Sequence, residues 1–466
     1  MSIPLMSDVI VIGGGPAGST AATFLAKYGY KVTVFEKAKF PREHVGESLL
    51  PFCFHLFKEL GVLDEMKKHF TRKSAVRFAL PDGSSATNWC FNHVIKDESF
   101  LSFHVDRPTF DKLLLDNARS NGATVHEETK VSKVDFDTDK NPNLVTVTTS
   151  SKNGEEQTHQ ARFLIDASGR DSFVATSNHW RKPNKGFERT ALWTHWEAVP
   201  ELKGGLEEGS SVIVYLGGKK RGWTWVFPLG LDRVTVGVVM DSFYLREEKA
   251  KLTQKGVENW IEALYRQELQ ESPYLVDLLA KAKIAMPVMI EGDYSYYSEQ
   301  KYGNLFALVG DAGRFIDPIF SSGIFLSMKS AMLMANALRT MLASPGQMDN
   351  KPIVDVYKQI DGAYDLVYRL ISLFYNPHAL SFAEAGMAFM TEHNEHQDAM
   401  SAGHFILSGD FFENHERYRI FMDTLANPTQ FERYRHLVIN RRNFKTESCD
   451  VDRSILFPVR QAVMES

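Results

Sequence analysis

The feature that most constrains this chain is a glycine run between two apolar strands. Asp8–Ile12 is a short β-branched segment, the pattern of a buried parallel strand. Gly13-Gly-Gly15-Pro-Ala-Gly18 follows, and Ser19–Tyr28 then reads as a helix with Ala22, Leu25 and Ala26 on its apolar face. Lys31–Phe35 reads as a second strand and ends in Glu36, 18 residues after the last glycine. The unit is β-α-β with a GxGxxG turn. The glycines let the backbone turn tightly and approach a pyrophosphate, whose negative charge the helix N-terminus favours. Glu36 can accept hydrogen bonds from a ribose. The sequence predicts an α/β dinucleotide-binding domain.

Two later segments repeat the theme. Phe163-Leu-Ile-Asp166-Ala-Ser-Gly169 and Leu305-Phe-Ala-Leu-Val-Gly310-Asp311 are each a short strand running into a glycine turn. Between those two segments, Val212–Leu216, Thr224–Phe227 and Arg233–Met240 read as sheet strands with little helix, which predicts an inserted antiparallel sheet on the substrate side. Ile324–Leu342 and Val354–Tyr375 are helical patterns, and helix is expected on to about residue 445. The expected division is a nucleotide-binding core over 1–345, with inserted sheet at about 75–105 and 185–300. A C-terminal helical region over 346–466 would cover the substrate site.

Composition excludes several classes. Lys and Arg number 53 against 58 Asp and Glu, a net charge of −5, so nucleic acid is not the expected partner. Cys53, Cys90 and Cys449 form no CxxC pair, so neither a disulfide framework nor a thiolate metal site is expected. Few cysteines, no signal peptide and no long apolar run point to a cytoplasmic protein outside the membrane. Glu392-His393-Asn-Glu395-His396 reads as a polar surface segment, and no metal is expected.

Together the Gly13 motif with Glu36, Asp106-Arg107, Asp166-Ala-Ser-Gly169 and Gly310-Asp311 resemble the FAD fold shared by aromatic hydroxylases and flavin-dependent halogenases. The resemblance covers about the first 340 residues. It implies FAD, with Glu36 on the adenosine ribose, Arg107 near the phosphates and Asp311 on the ribityl or pyrophosphate part. Gly46-Glu47-Ser48-Leu-Leu-Pro51 is typical of the family and implies Ser48 beside the isoalloxazine.

Three features resemble halogenases rather than hydroxylases. Gly222-Trp223-Thr-Trp225-Val-Phe227-Pro228 is similar to the WxWxIP signature, with Phe227 where Ile is usual. Lys73, in Phe70-Thr-Arg-Lys73-Ser, matches the family's catalytic lysine. Asp317-Pro318-Ile-Phe320-Ser-Ser322-Gly323 resembles the halide loop, which implies halide at Ser322 and Gly323 and walls formed by Trp223, Trp225, Pro228, Pro318 and Phe320. Halogenases of free tryptophan carry a glutamate just before the halide-loop Ser/Thr. The matching place here holds Phe320.

That departure, and the segment Asn92–Glu98 through Asp111, resemble the pyrrolyl-carrier-protein halogenases, including the marine bromopyrrole type. The resemblance implies bromination or chlorination of a carrier-tethered pyrrole through a flavin hydroperoxide and hypohalous acid. FADH2 would come from a separate flavin reductase, since no NAD(P)H motif is evident. An aromatic hydroxylase using NAD(P)H directly, an FAD-dependent isoprenoid reductase and a non-catalytic flavoprotein are the alternatives. Arg417, Arg419, Arg433, Arg435, Arg441, Arg442 and Lys445 face only Glu416, Asp423 and Glu432 in the same stretch, a basic patch expected to dock an acidic carrier protein.

Overall fold

The structure is a computed structural model. It describes residues 5–136, 143–216, 222–292, 295–343, 350–376, 379, 396–429 and 448–458. Its first layer is a mixed sheet. Thr124–His126, Val32–Phe35, Leu5–Ile12, Glu156–Asp166 and Phe306–Leu308 run parallel, and Val145–Ser151 and Thr129–Asp135 continue the sheet antiparallel. Val9, Ile10 and Val11 are wholly buried, as a strand covered on both faces must be.

The helix after the glycines spans Pro16–Lys27 and lies between the Arg107–Ser120 and Ser322–Leu342 helices. Its buried hydroxyls are satisfied within the turn: Ser19 donates to Gly14 O, Thr20 to Pro16 O and Thr23 to Ser19 O. Polar residues thus cost little on a face that admits no bulk. A Cβ at Gly18 would lie 1.9 Å from Gly13 O, so helix and strand meet as closely as backbone allows.

The second layer is an eight-stranded sheet. Its order is Lys283–Ile284, Arg189–Glu197, Val234–Asp241, Gly222–Pro228, Ser210–Leu216, Ala75–Ala79, Ser85–Cys90, with Met289–Glu291 also on Arg189–Glu197. All pairings are antiparallel except Ser210–Leu216 with Ala75–Ala79. Period-two alternation divides its side chains. Trp193, Ile213, Trp223, Trp225 and Phe227 join the main core. Leu192, Val212, Val226, Val236 and Val238 form a second core on the other face.

The expectation of little helix in this region is corrected by Ser242–Gln254, Trp260–Leu269 and Pro273–Leu279. The last two bury Leu264, Tyr265, Leu275 and Leu278 against the second core. A sheet with valines on both faces needs a cover on both, and these helices provide one.

The Lys351–Tyr375 helix packs on Ser322–Leu342 and contributes Ile353, Tyr357, Leu366 and Leu370 to the same core as the nucleotide-binding strands. No described helix is long and apolar enough to cross a membrane.

The cysteine expectation is also corrected: Cys90 and Cys449 form a disulfide, with Cα atoms 5.6 Å apart and a sequence separation of 359. Motif spacing is blind to a pair at that separation. Further bonds tie the segment around Cys449 to the Leu206–Glu208 turn and the Thr71–Lys73 strand, Arg453 to Glu208 at 3.1 Å and Arg72 N to Leu456 O at 2.7 Å. Cys53 remains a buried free thiol.

Candidate active site

A cavity of about 590 Å³ runs from the carboxyl ends of the parallel strands to the inner face of the second sheet. The open crevice beyond parallel strand ends is where α/β sheets bind nucleotides. At one end lie Gly13, Gly15 and Glu36, and at the other Trp223, Trp225, Asp317 and Gly323, with Ser48, Arg107 and Asp311 also in its wall.

The nucleotide end is rigid. Glu36 is buried and accepts from Gly14 N–H at 2.7 Å and Ala38 N–H at 2.8 Å, so both carboxylate oxygens are aimed by backbone. Gly13 has φ +95°, a conformation open mainly to glycine, and a Cβ there would lie 2.5 Å from Ala167 O. The Pro16–Lys27 helix has Gly15 at its N-cap with no side-chain cap, which leaves first-turn N–H groups for an anion.

Arg107, buried in the wall, is held bidentate by Asp111 at 2.8 Å for each contact, and Arg42 joins the same carboxylate at 3.2 Å. Burial and the neighbouring Arg107 push the His44 imidazole down to about 3, so it stays neutral. Burial lifts the Asp311 carboxyl to about 6, opposed by Arg170 and Arg107. An elongated crevice with an uncapped helix end, two guanidiniums and a backbone-aimed carboxylate fits FAD: anion donors for the pyrophosphate and acceptors for its hydroxyls.

The other end draws on distant segments. Trp223 and Trp225 line the cavity side by side, ring centroids 5.9 Å apart, on the Gly222–Pro228 strand. Phe227 joins them, whereas Pro228 falls on the opposite face of the strand with Thr224 and Val226 and is absent from the wall. Pro318 lines the cavity. Phe320 does not, because it turns into an aromatic cluster with Phe78 and Phe374. Gly323 is in the wall, but Ser322 is buried behind it. Ser321, which sequence reasoning passed over, takes the lining position. Ser321 sits at φ +56°, a left-handed conformation uncommon outside glycine, and caps the Ser322–Leu342 helix without a side-chain bond.

Asp317 accepts from Ile319 N–H at 2.9 Å and from the Tyr375 hydroxyl at 3.0 Å, and burial lifts its carboxyl to about 6. The Tyr375 oxygen accepts in turn from the Trp223 indole at 2.9 Å. Tyr375 carries no motif and is visible only in the fold.

Lys73 lies one layer behind the wall, at the end of the short Thr71–Lys73 strand paired with Ser102–His104. It is fully buried, donates to Leu49 O at 3.1 Å, and its Nζ is 5.4 Å from the Phe91 ring centroid. Burial pushes its ammonium down to about 7. Ser48, the residue before Leu49, faces the cavity and bonds Ser211 at 2.9 Å, which bonds His104 Nε2 at 2.9 Å. A polar chain therefore leads from the cavity wall into the layer that holds Lys73. The Glu392–Glu395 segment and, of the basic patch, Arg433, Arg435, Arg441, Arg442 and Lys445 lie outside the described residues. Among the described residues no metal-ligand cluster occurs.

Comparison with known proteins agrees with this geometry. Residues 6–355 match the FAD binding domain family. A tryptophan 2-halogenase of Chondromyces crocatus is 36% identical over 385 residues, 81% of this chain and 70% of that protein. A 1H-pyrrole-2-carbonyl-[peptidyl-carrier protein] chlorinase of Pseudomonas fluorescens is 32% identical over 347 residues, 70% of this chain and 74% of that one. A solved flavoprotein/dehydrogenase from Cytophaga hutchinsonii superimposes with a TM-score of 0.77 at 25% identity, covering 92% of this chain and 99% of that one. The relatives at this coverage favour halogenation over hydroxylation. On its FAD binding domain and these kinships the chain belongs to the flavin-dependent halogenases.

Proposed function

We propose that this halogenase acts on an electron-rich pyrrolyl group tethered to an acyl or peptidyl carrier protein, with Lys73 delivering the halogen. The observation that carries the substrate reading is Phe320. Where halogenases of free tryptophan place a carboxylate, this chain places a phenyl ring packed between Phe78 and Phe374. No acid stands there to take the ring proton, which suits a ring reactive enough to lose it to solvent. The Pseudomonas carrier-protein chlorinase supports the same reading, and the tryptophan 2-halogenase is the competing precedent.

Bound as FADH2, the cofactor supplies the electrons with which O2 oxidises halide to an electrophilic halogen equivalent. A separate flavin reductase is the proposed source of FADH2. The chain's own residues do the rest. Gly13, Gly15, Arg107 and Glu36 hold the nucleotide part, and Ser48 and Asp311 border the remainder of the crevice. The Asp317–Gly323 loop offers backbone N–H groups to the halide. Trp223 and Trp225 close the far wall and exclude water and bulky substrates from it. Lys73, with its ammonium at about 7, is in large part a neutral amine at neutral pH. It can accept a hydrogen bond from hypohalous acid or take up its halogen, and the surrounding core keeps water from competing.

The test is an assay with FADH2, O2 and each halide on a pyrrolyl carrier protein and on free tryptophan, read by mass spectrometry. A halogenated pyrrole is expected. Halogenated tryptophan with an unmodified pyrrole would overturn the substrate reading and leave the family assignment intact.

A further inference from the structure

We propose that Tyr375, the last residue of the Lys351–Tyr375 helix, is a positioning residue for halide capture: its hydroxyl ties Trp223 to Asp317 and so holds the Asp317–Gly323 loop in a halide-accepting shape. The proposal rests on the halogenase reading above. It adds to that reading a part for the C-terminal helix in the site itself.

Three segments far apart in sequence meet at one oxygen. The Trp223 indole donates to Tyr375 Oη at 2.9 Å, and Tyr375 Oη–H donates to Asp317 Oδ2 at 3.0 Å. Trp223 and Asp317 both line the cavity, and Ser321 and Gly323 of the same loop line it beside them. Tyr375 is pinned on its other sides. Arg189 stacks over its ring at 4.7 Å while paired with Asp241 at 2.9 Å, and Phe374 and Phe187 meet it edge-on. Ring and hydroxyl are therefore both fixed.

The arrangement solves a problem of like charges. A carboxylate beside a site meant for an anion repels that anion. Here both oxygens of Asp317 are drawn to protein donors, Oδ1 to Ile319 N–H and Oδ2 to Tyr375. Burial raises the Asp317 pKa, and the charge of Arg189 lowers it in part. Without the Tyr375 hydroxyl, Asp317 Oδ2 and the Trp223 N–H both lose a buried partner, and the carboxylate is free to turn toward the cavity.

The experiment measures bromide affinity of the FAD-loaded protein from the absorbance of the bound flavin, over pH 5 to 9. Asp317 is neutral below its pKa and anionic above, so wild-type bromide binding weakens as pH rises through about 6. Tyr375→Phe keeps the ring and deletes the hydroxyl. It is expected to bind FAD within twofold of wild type and to bind bromide at least fivefold more weakly at pH 8. The inflection should move upward, because the carboxylate has lost a donor.

A bromide Kd at pH 8 within twofold of wild type overturns the proposal. A weaker Kd with an unmoved inflection reduces Tyr375 to packing and overturns it equally. Asp311 lines the same cavity and also has a raised pKa, so Asp317→Asn is the control. An inflection that survives Asp317→Asn belongs to Asp311 and contradicts the proposal. If Tyr375→Phe fails to fold, Trp223→Phe, which removes the donor into Tyr375 together with part of the indole ring, must show the same change in bromide binding. Bromide binding unaffected in that variant overturns the proposal. A wild type with no bromide response contradicts the halide loop itself, whereas a bromide Kd unchanged in Tyr375→Phe contradicts only the role of Tyr375.

Discussion

The two ends of the cavity are built in opposite ways. At the nucleotide end, Gly13, Gly15 and Glu36 come from one continuous β-α-β unit, and Glu36 is aimed by backbone N–H groups. At the other end, where we place the chemistry, Trp223 and Asp317 in the wall and Tyr375 and Lys73 behind it come from four separate segments. There, ionisable groups sit in the core with pKa values moved toward neutrality. Local construction suits a task of binding, where each contact adds affinity. Distant construction suits a task of chemistry, where a charge must be buried and still be held in place. Substitutions at the first end should therefore change how much FAD is bound, and substitutions at the second what the bound protein does.

The sharpest way to break this contrast is Lys73→Ala. Turnover to halogenated product should fall ~10³-fold or more, as for loss of a group acting on the reacting atoms, while FAD affinity stays within about twofold. Lys73→Arg should fail as well, because a guanidinium stays protonated. Rapid mixing with FADH2 and O2, with product counted by mass, separates the two ends. A parallel loss of FAD binding would merge them.

The reciprocal change is Glu36→Ala. Hydrogen bonds to a charged group contribute about 1.5–3 kcal/mol, so FAD should bind roughly 10- to 100-fold more weakly. At saturating FAD the halogenated product should be the same compound. A shift in the position of the halogen, in a folded variant, would show that the nucleotide end reaches into the chemistry.

The pH profile sharpens the second half. The Lys73 ammonium is lowered by burial to about 7, so the neutral amine predominates above that pH and is lost below it. The Lys73-dependent rate should fall about tenfold per pH unit well below 7, and FAD affinity should not follow it. A rate independent of pH between 5 and 8 would contradict a neutral-amine role.

The smallest expected effect concerns a third region. Arg433→Glu with Arg435→Glu should slow reaction with a carrier-bound substrate by about two- to fivefold at low salt and hardly at high salt, since charge steering is screened. Identical rates across salt concentrations would place carrier docking elsewhere.

The same contrast explains what could be read before the fold was known. The Gly13–Glu36 unit was legible because strand, turn, helix and acid follow one another at fixed spacings. Trp223 and Trp225 were legible as alternate residues of one strand, but the same alternation removes Pro228 from the wall, which motif matching alone did not separate. Ser321 was hidden because its left-handed backbone leaves no mark on the sequence. Tyr375 was hidden because its partners lie 58 and 152 residues away. The Cys90–Cys449 bond was hidden for the same reason, and the helices at 242–279 because the valine runs around them drew the region toward sheet.

The central claim is that this FAD-binding chain halogenates, and that Lys73 separates halogenation from flavin oxidation. The most direct measurement supplies FADH2, O2 and bromide to the wild type and to Lys73→Ala with a pyrrolyl carrier protein. Brominated carrier and hydrogen peroxide are then quantified in the same samples. The account predicts bromide-dependent product from the wild type. From Lys73→Ala it predicts FADH2 consumption at a similar rate without brominated carrier, the O2 ending as hydrogen peroxide or in free hypobromous acid and water. Brominated carrier from Lys73→Ala at the wild-type rate would contradict it, as would a hydroxylated, bromide-independent product from the wild type.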